Sequence, residues 1–207
     1  MIGEQGGVSM GARVSRGGAL YTLFLLISFF GWVLEEVFFF SGGHGIVDRG
    51  FLSLPICAVY GLGVILTYLS LGLPDRMRFF SFSVSAKTRK GKLLQALLYV
   101  LLSGIICSAC ELAVGLFLHR AFGIFMWDYR ETPFHVGAYI CLPYALIWGV
   151  LTYFFMRYAF LFFFRRLSLM RRASFLAIML PISIFLLFDI AANVSYAFLY
   201  RAHMALW

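Results

Sequence analysis

The sequence predicts an all-α fold, a polytopic bundle of about five transmembrane helices, and three observations carry that reading. Of 207 residues, 62% are hydrophobic and only 13% are charged, whereas soluble domains carry about 25% charged residues. The apolar residues gather in runs of the length needed to cross a bilayer, about 20 residues for roughly 30 Å of hydrocarbon. The charges also separate by sign, with basic residues on one side of the alternating runs and acidic residues on the other.

Residues 1–19 precede the first run and form a cytoplasmic amino-terminal segment, and the bundle occupies 20–200. The run 20–40 is a retained span, because it is too long for a cleavable leader, contains Glu35 and Glu36, and has no small-residue cleavage site behind it. The run 51–73 is interrupted by Pro55, Gly61 and Gly63, residues that membrane helices tolerate because neighbouring groups take up the freed backbone. Runs 93–118, 136–164 and 175–199 supply three further spans, and 201–207 is a short tail.

Orientation follows from charge. Arg13, Arg16, the six basic residues from Arg76 to Lys92, and the five from Arg157 to Arg172 fall on one side if the spans alternate, thirteen of the seventeen in the chain. By the positive-inside rule that side is cytoplasmic, which puts the amino terminus inside and the carboxyl terminus outside a multi-pass protein of the cell membrane. The basic loops then face anionic lipid headgroups, so the net charge of +8 does not imply nucleic acid. Seven of the nine acids lie in spans or outer loops, against Arg49, Arg120, Arg130 and Arg201.

A two-span unit at 28–70 recurs loosely at 104–158. Each copy has a glutamate near the outer end of its first helix, Glu35 or Glu111. An outer loop with an acid and an arginine follows, Asp48-Arg49 or Asp128-Tyr129-Arg130, and then a second helix opening on Ile56-Cys57-Ala58-Val59-Tyr60 or Ile140-Cys141-Leu142-Pro143-Tyr144. Both units start on the cytoplasmic side, so the repeat is parallel and suggests a two-fold bundle with a site between its halves.

A carboxylate at the bilayer centre costs about 2.5–3.5 kcal/mol, so acids in spans face the bundle interior, a partner or water. Glu111 shares a helix face with Gly104, Ser108 and Gly115, a small-residue stripe that packs closely on another helix. Glu35 follows Ser28, Gly31 and Trp32, while Glu36 points about 100° away. Asp189, Asn193 and Tyr196 make an inward polar line on the last span. These six residues from Glu35 to Tyr196 are the candidate substrate or ion pathway. Asp48, Arg49, Trp127, Asp128 and Arg130 are candidates for an outer-loop site or a structural cap. Trp127 and Tyr129 belong to an aromatic belt, or supply rings for a cation.

Catalytic, metal and cofactor motifs are missing. There is no HExxH, nucleophile elbow or P-loop, so any ATP dependence requires a separate subunit. The Glu35-Glu36 pair lacks the arginine four residues on that intramembrane CAAX-type proteases carry, since Phe40 stands there. Cys57, Cys107, Cys110 and Cys141 read as free packing thiols, without a second ligand pair for zinc.

Several words occur in order: Phe30-Gly31-Trp32-Val33-Leu34-Glu35, Asp48-Arg49-Gly50-Phe51-Leu52, Pro55-Ile56-Cys57, Tyr60-Gly61, Glu111, Trp127-Asp128-Tyr129, Cys141-Leu142 and Trp148-Gly149. Together they resemble the CmpB-like family of ABC-transporter type IV permeases over about residues 20–158. The chain departs from that pattern at Asp48, Ala58-Val59 and Arg130. The resemblance implies transport. The functional expectation is a transporter or permease subunit with an acidic intramembrane site for a cationic or amine-bearing molecule or for protons. Its partners would be membrane lipids and a separate ATPase subunit or a second copy of the chain. Two alternatives are a non-transporting assembly or lipid-binding protein, and a membrane-embedded lipid-modifying enzyme using two carboxylates as acid and base.

Overall fold

The computed structural model describes residues 12–42, 50–79, 82–84 and 86–204. Six helices account for most of them: α1 (Arg16–Ser41), α2 (Ala58–Leu71), α3 (Arg89–Phe122), α4 (Leu142–Tyr158), α5 (Phe160–Ser168) and α6 (Arg172–Tyr200). Among the described residues α1, α3 and α6 are each long and apolar enough to cross a membrane, and α4 with α5 forms a fourth candidate bent by 50°. The chain is an all-helical, multi-pass membrane protein of three to four such spans.

The helix ends follow local chemistry. Ser15 caps α1 by accepting a hydrogen bond from the Gly18 amide at 3.1 Å, and Thr88 caps α3 from the Gly91 amide at 3.1 Å. Gly123 closes α3 at φ 76°, a left-handed conformation that favours glycine.

Two of the expected spans take a different form. The run 51–73 is helical only over Ala58–Leu71, about 21 Å of helix where about 30 Å must be crossed. Residues 50–57 are irregular, because Pro55 has no amide hydrogen to give a helix. The run 136–164 begins as a short antiparallel pair, β4 (His135–Val136) with β5 (Ile140–Cys141), and breaks again between Tyr158 and Phe160. A second small antiparallel sheet joins α2 to α3, in the order β1 (Gly72–Leu73), β2 (Arg76–Phe79), β3 (Phe82–Val84). Gln95 Nε2 donates to the Pro74 carbonyl at 2.6 Å and Tyr99 Oη to the Gly72 carbonyl at 2.8 Å, which fix this sheet to α3.

Helices α1 and α2, α2 and α3, and α3 and α4 pack as neighbours. Close approach of α3 and α4 depends on Gly104 and Gly149. A Cβ on Gly104 would stand 2.5 Å from the Ala145 carbonyl oxygen, and one on Gly149 would collide with the Val100 carbonyl oxygen. The stripe expected around Glu111 therefore does meet another helix, and Gly115 farther along faces Tyr139 and Trp127.

The helices alternate between a basic end and an acidic end. At the basic end the Val14 amide donates to the Met170 carbonyl and the Arg172 amide to the Ala12 carbonyl, and a core of Leu23, Leu71, Met77, Tyr99, Met156 and Phe160 closes the bundle. At the opposite end Arg201 Nη1 donates to the Ala121 carbonyl at 3.0 Å. Helix α6 is mostly exposed on the outside of the bundle. Polar groups hold it there: Tyr21 Oη with Ser183 Oγ at 2.8 Å, and Asp189 with the backbone of Ser53 and Leu54.

Candidate functional site

A cavity of about 930 Å³ lies among α1, α2, α3, α4 and the loop after α3, within the range of about 300–1,000 Å³ that small-molecule sites occupy. Glu35 and Glu111 both line it. Glu35 lies on α1, one turn beyond Gly31, which gives α2 close access: a Cβ there would overlap the Tyr60 ring. Tyr60 Oη consequently reaches Glu35 Oε1 at 2.9 Å, and Cys57 Sγ lies 3.7 Å from the same oxygen.

Glu111 on α3 is only 7% exposed. Its Oε1 accepts from Trp148 Nε1 at 2.9 Å and from Tyr129 Oη at 3.4 Å. Its Oε2 is enclosed and meets no hydrogen-bond partner among the described residues. A buried carboxylate oxygen without a donor is expensive, and this one belongs to a side chain that borders the cavity. The aromatic donors also touch each other: Tyr60 meets Trp148 edge-on at 5.1 Å, and Tyr144 stacks on Tyr129 at 5.1 Å and tilts toward Trp148 at 6.2 Å. No basic side chain lines the cavity among the described residues.

Of the remaining sequence candidates, Trp127 and Asp128 also line the cavity, and the others that the structure describes do not. Asp189 does not border the cavity; its Oδ1 and Oδ2 accept the Ser53 and Leu54 amides at 3.3 and 3.2 Å. Asn193 is fully buried beside it and donates to Asp189 Oδ1 at 3.0 Å and to Ser53 Oγ at 3.1 Å. Tyr196 meets Tyr200 at 4.6 Å with the rings tilted by 38°. Glu36 is half-buried away from the cavity, and neither carboxylate oxygen has a hydrogen-bond partner among the described residues. Asp48 and Arg49 lie outside the described residues.

At the rim, Asp128 pairs with Arg130 through both carboxylate oxygens and the guanidinium. Both side chains are exposed, and the Arg130 guanidinium lies 5.7 Å over the Phe125 ring. Hydrogen bonds from Arg130 hold the Asp128 carboxyl down at about 2. Trp127 is anchored by its indole N–H, which donates to the Tyr139 carbonyl at 2.9 Å.

Sequence reasoning missed the donors. Tyr60 and Trp148 stood only as words of a repeat or a resemblance, although an aromatic with an N–H or O–H within reach of an acid in a span is the partner such an acid needs. Among the described residues no group of three or more histidines, cysteines and acids is placed to hold a metal ion.

No curated protein and no solved structure gives a significant match to the chain. A family model does, over residues 22–194, spanning the cavity, both of its glutamates and nearly all of the helical bundle. The chain belongs to the family described as Putative ABC-transporter type IV.

Proposed function

We propose that this chain is a permease subunit whose Glu35 and Glu111 form an intramembrane site for a cationic or amine-bearing molecule, or for protons. The observation that carries the reading is Glu111 Oε2, a buried carboxylate oxygen with no donor among the described residues, beside a cavity that also contains Glu35. A ligand N–H or a bound proton supplies the missing partner. Rings of Tyr60, Tyr144 and Trp148 around it add cation–π attraction.

The bundle crosses the cell membrane five times in this reading, with the amino terminus cytoplasmic. Residues 50–57 support the second crossing, since the 14-residue α2 covers about 21 Å and only about 9 Å remains for eight residues that could span up to about 3.3 Å each. The basic end faces the cytoplasm. A two-fold relation between α1–α2 and α3–α4 is supported by Cys57 and Cys141, which both stand at the N-cap of the second helix of a unit. In each unit the glutamate of the first helix is bound by an aromatic of the second, Tyr60 or Trp148. ATP, if used, enters through a separate subunit, because the sequence has no P-loop. The alternative partner is a second copy of the chain.

Uptake of guanidinium, a permanently protonated donor, and proton flux into proteoliposomes test the site. Wild type should carry one or both, and Glu111→Gln should lose at least tenfold while keeping its elution profile. Equal flux in a folded Glu111→Gln protein overturns the reading.

A further inference from the structure

We propose that the ligand is a lipophilic amine, an amphiphile with a protonated amino head and an aliphatic tail, which reaches the cavity sideways from the membrane between α1 and α4. The inference rests on the cation site at Glu35 and Glu111 and adds the rest of the molecule.

The cavity is long and polarised. On α1 its wall runs from Phe39 back to Leu23, and the part on the apolar side of Glu35, from Glu35 to Leu23, is twelve residues or about 18 Å of helix. That is close to the depth of one leaflet, about 15 Å. The two glutamates with Trp127, Tyr129 and Trp148 occupy one end, whereas Leu23, Ile27, Leu151, Phe155 and Phe163 surround the other. A small cation would use only the first end.

The long side is open. Phe30, Leu34 and Phe38 on α1 are 60%, 45% and 59% exposed and still line the cavity, as do Ile147 and Leu151 on α4 at 47% and 42%. Both ends are covered: α5 packs on α1 at the basic end, bringing Phe163 to the wall, and the loop carrying Trp127 and Thr132 lies over the acidic end. Exposed apolar side chains along the spans of a membrane protein face lipid tails, so the opening leads to the bilayer and not to water.

Head chemistry follows from the donor count. The enclosed Glu111 Oε2 needs a hydrogen, and a protonated amine brings one with a compensating charge. A phosphate-bearing head would set negative charge beside two carboxylates in a cavity that no basic side chain lines among the described residues.

The test uses the full chain in phosphatidylcholine nanodiscs and tetradecylamine carrying a diazirine at its tail. Cross-links should fall on residues 23–27 and 151–163, should drop at least tenfold in Glu111→Gln, and should be displaced by excess unlabelled tetradecylamine. Leu151→Phe, which fills the tail end, should cut the labelling severalfold and leave the guanidinium-induced change in indole fluorescence intact. If guanidinium binds in a Glu111-dependent way but the label lands only on exposed α6 residues such as Phe185 and Phe188, the cation site stands and the amphiphile is wrong. If neither probe depends on Glu111, both readings fall. Where Glu111→Gln does not fold, Glu35→Gln and self-displacement in wild type give the same decision.

Discussion

Tyr60 and Trp148 meet edge to face at 5.1 Å, and each gives its polar hydrogen to a different glutamate, Tyr60 to Glu35 and Trp148 to Glu111. One aromatic contact thus couples α2 to α4 and sets two carboxylates on the same cavity. Trp148 and Tyr129 both donate to Glu111 Oε1, while Oε2 meets no hydrogen-bond partner among the described residues.

Coupling between the two rings is measurable. Trp148→Phe keeps a ring and deletes the indole donor, so Glu111 retains only the weaker Tyr129 contact; the expected loss is about 1 kcal/mol, since interhelical hydrogen bonds in membranes average about 0.6. In a Tyr60→Ala, Trp148→Ala cycle the coupling should be about 0.5–1.5 kcal/mol. Strictly additive losses in a steric-trap unfolding assay would show that the contact is incidental.

Asp189 has a different set of partners from the two cavity glutamates. Because its carboxylate takes the Ser53 and Leu54 amides, Asp189→Ala should leave two backbone donors without partners at a cost of about 1–3 kcal/mol each at most. Hydrogen exchange of residues 50–57 should accelerate at least tenfold, and α6 should become protease-sensitive. Transport by molecules that remain folded should persist, in contrast to Glu111→Gln. Loss of flux with unchanged exchange would instead put Asp189 in the pathway.

These differences trace what the sequence carries. Helices α1, α3 and α6 are legible because nothing but a span explains twenty or more apolar residues in a row. Glu35 and Glu111 were legible as a pair through their matching places in the two units. The contacts of Asp189 were not, since its partners Ser53 and Leu54 offer main-chain amides, which every residue but proline has and no side-chain pattern marks. The break between Tyr158 and Phe160 was equally hidden: neither glycine nor proline stands there, and the run of phenylalanines reads as one continuous span. Helix α2 was overextended because apolar length alone does not distinguish helix from the irregular chain around Pro55.

The rim pair should be silent across the physiological range. Hydrogen bonding and charge from Arg130 depress the Asp128 carboxyl from its ordinary value to about 2. A carboxyl whose folded value is depressed contributes above its unfolded value, near 4, and loses that contribution as pH falls toward 2. Between pH 5 and 8, Asp128→Asn should therefore leave the shape of any flux-pH profile unchanged. Carbon-13 titration of the Asp128 carboxyl should give its midpoint below 3. A midpoint near 4 would mean that the exposed pair does not hold in solution.

Gly149 tests whether α3 and α4 must touch for the site to form. A Cβ there runs into the Val100 carbonyl oxygen, which belongs to helix backbone and cannot swing aside as a side chain could. Gly149→Ala should therefore push the helices apart at about 1–3 kcal/mol, the range for overpacking a close interface. Trp148 is the adjacent residue, so the shift should lengthen its bond to Glu111 and weaken guanidinium binding in the fraction that remains folded. Gly17→Ala is the matched control, because nothing lies within 4 Å of a Cβ at that position. Near the start of α1 it should be neutral or slightly stabilising, as alanine is the better helix former. Thermal unfolding of the two variants side by side separates a packing requirement from a general intolerance of alanine in membrane helices. Equal stability of both would show that α3 and α4 can separate without loss, and that the glutamate site does not depend on their contact.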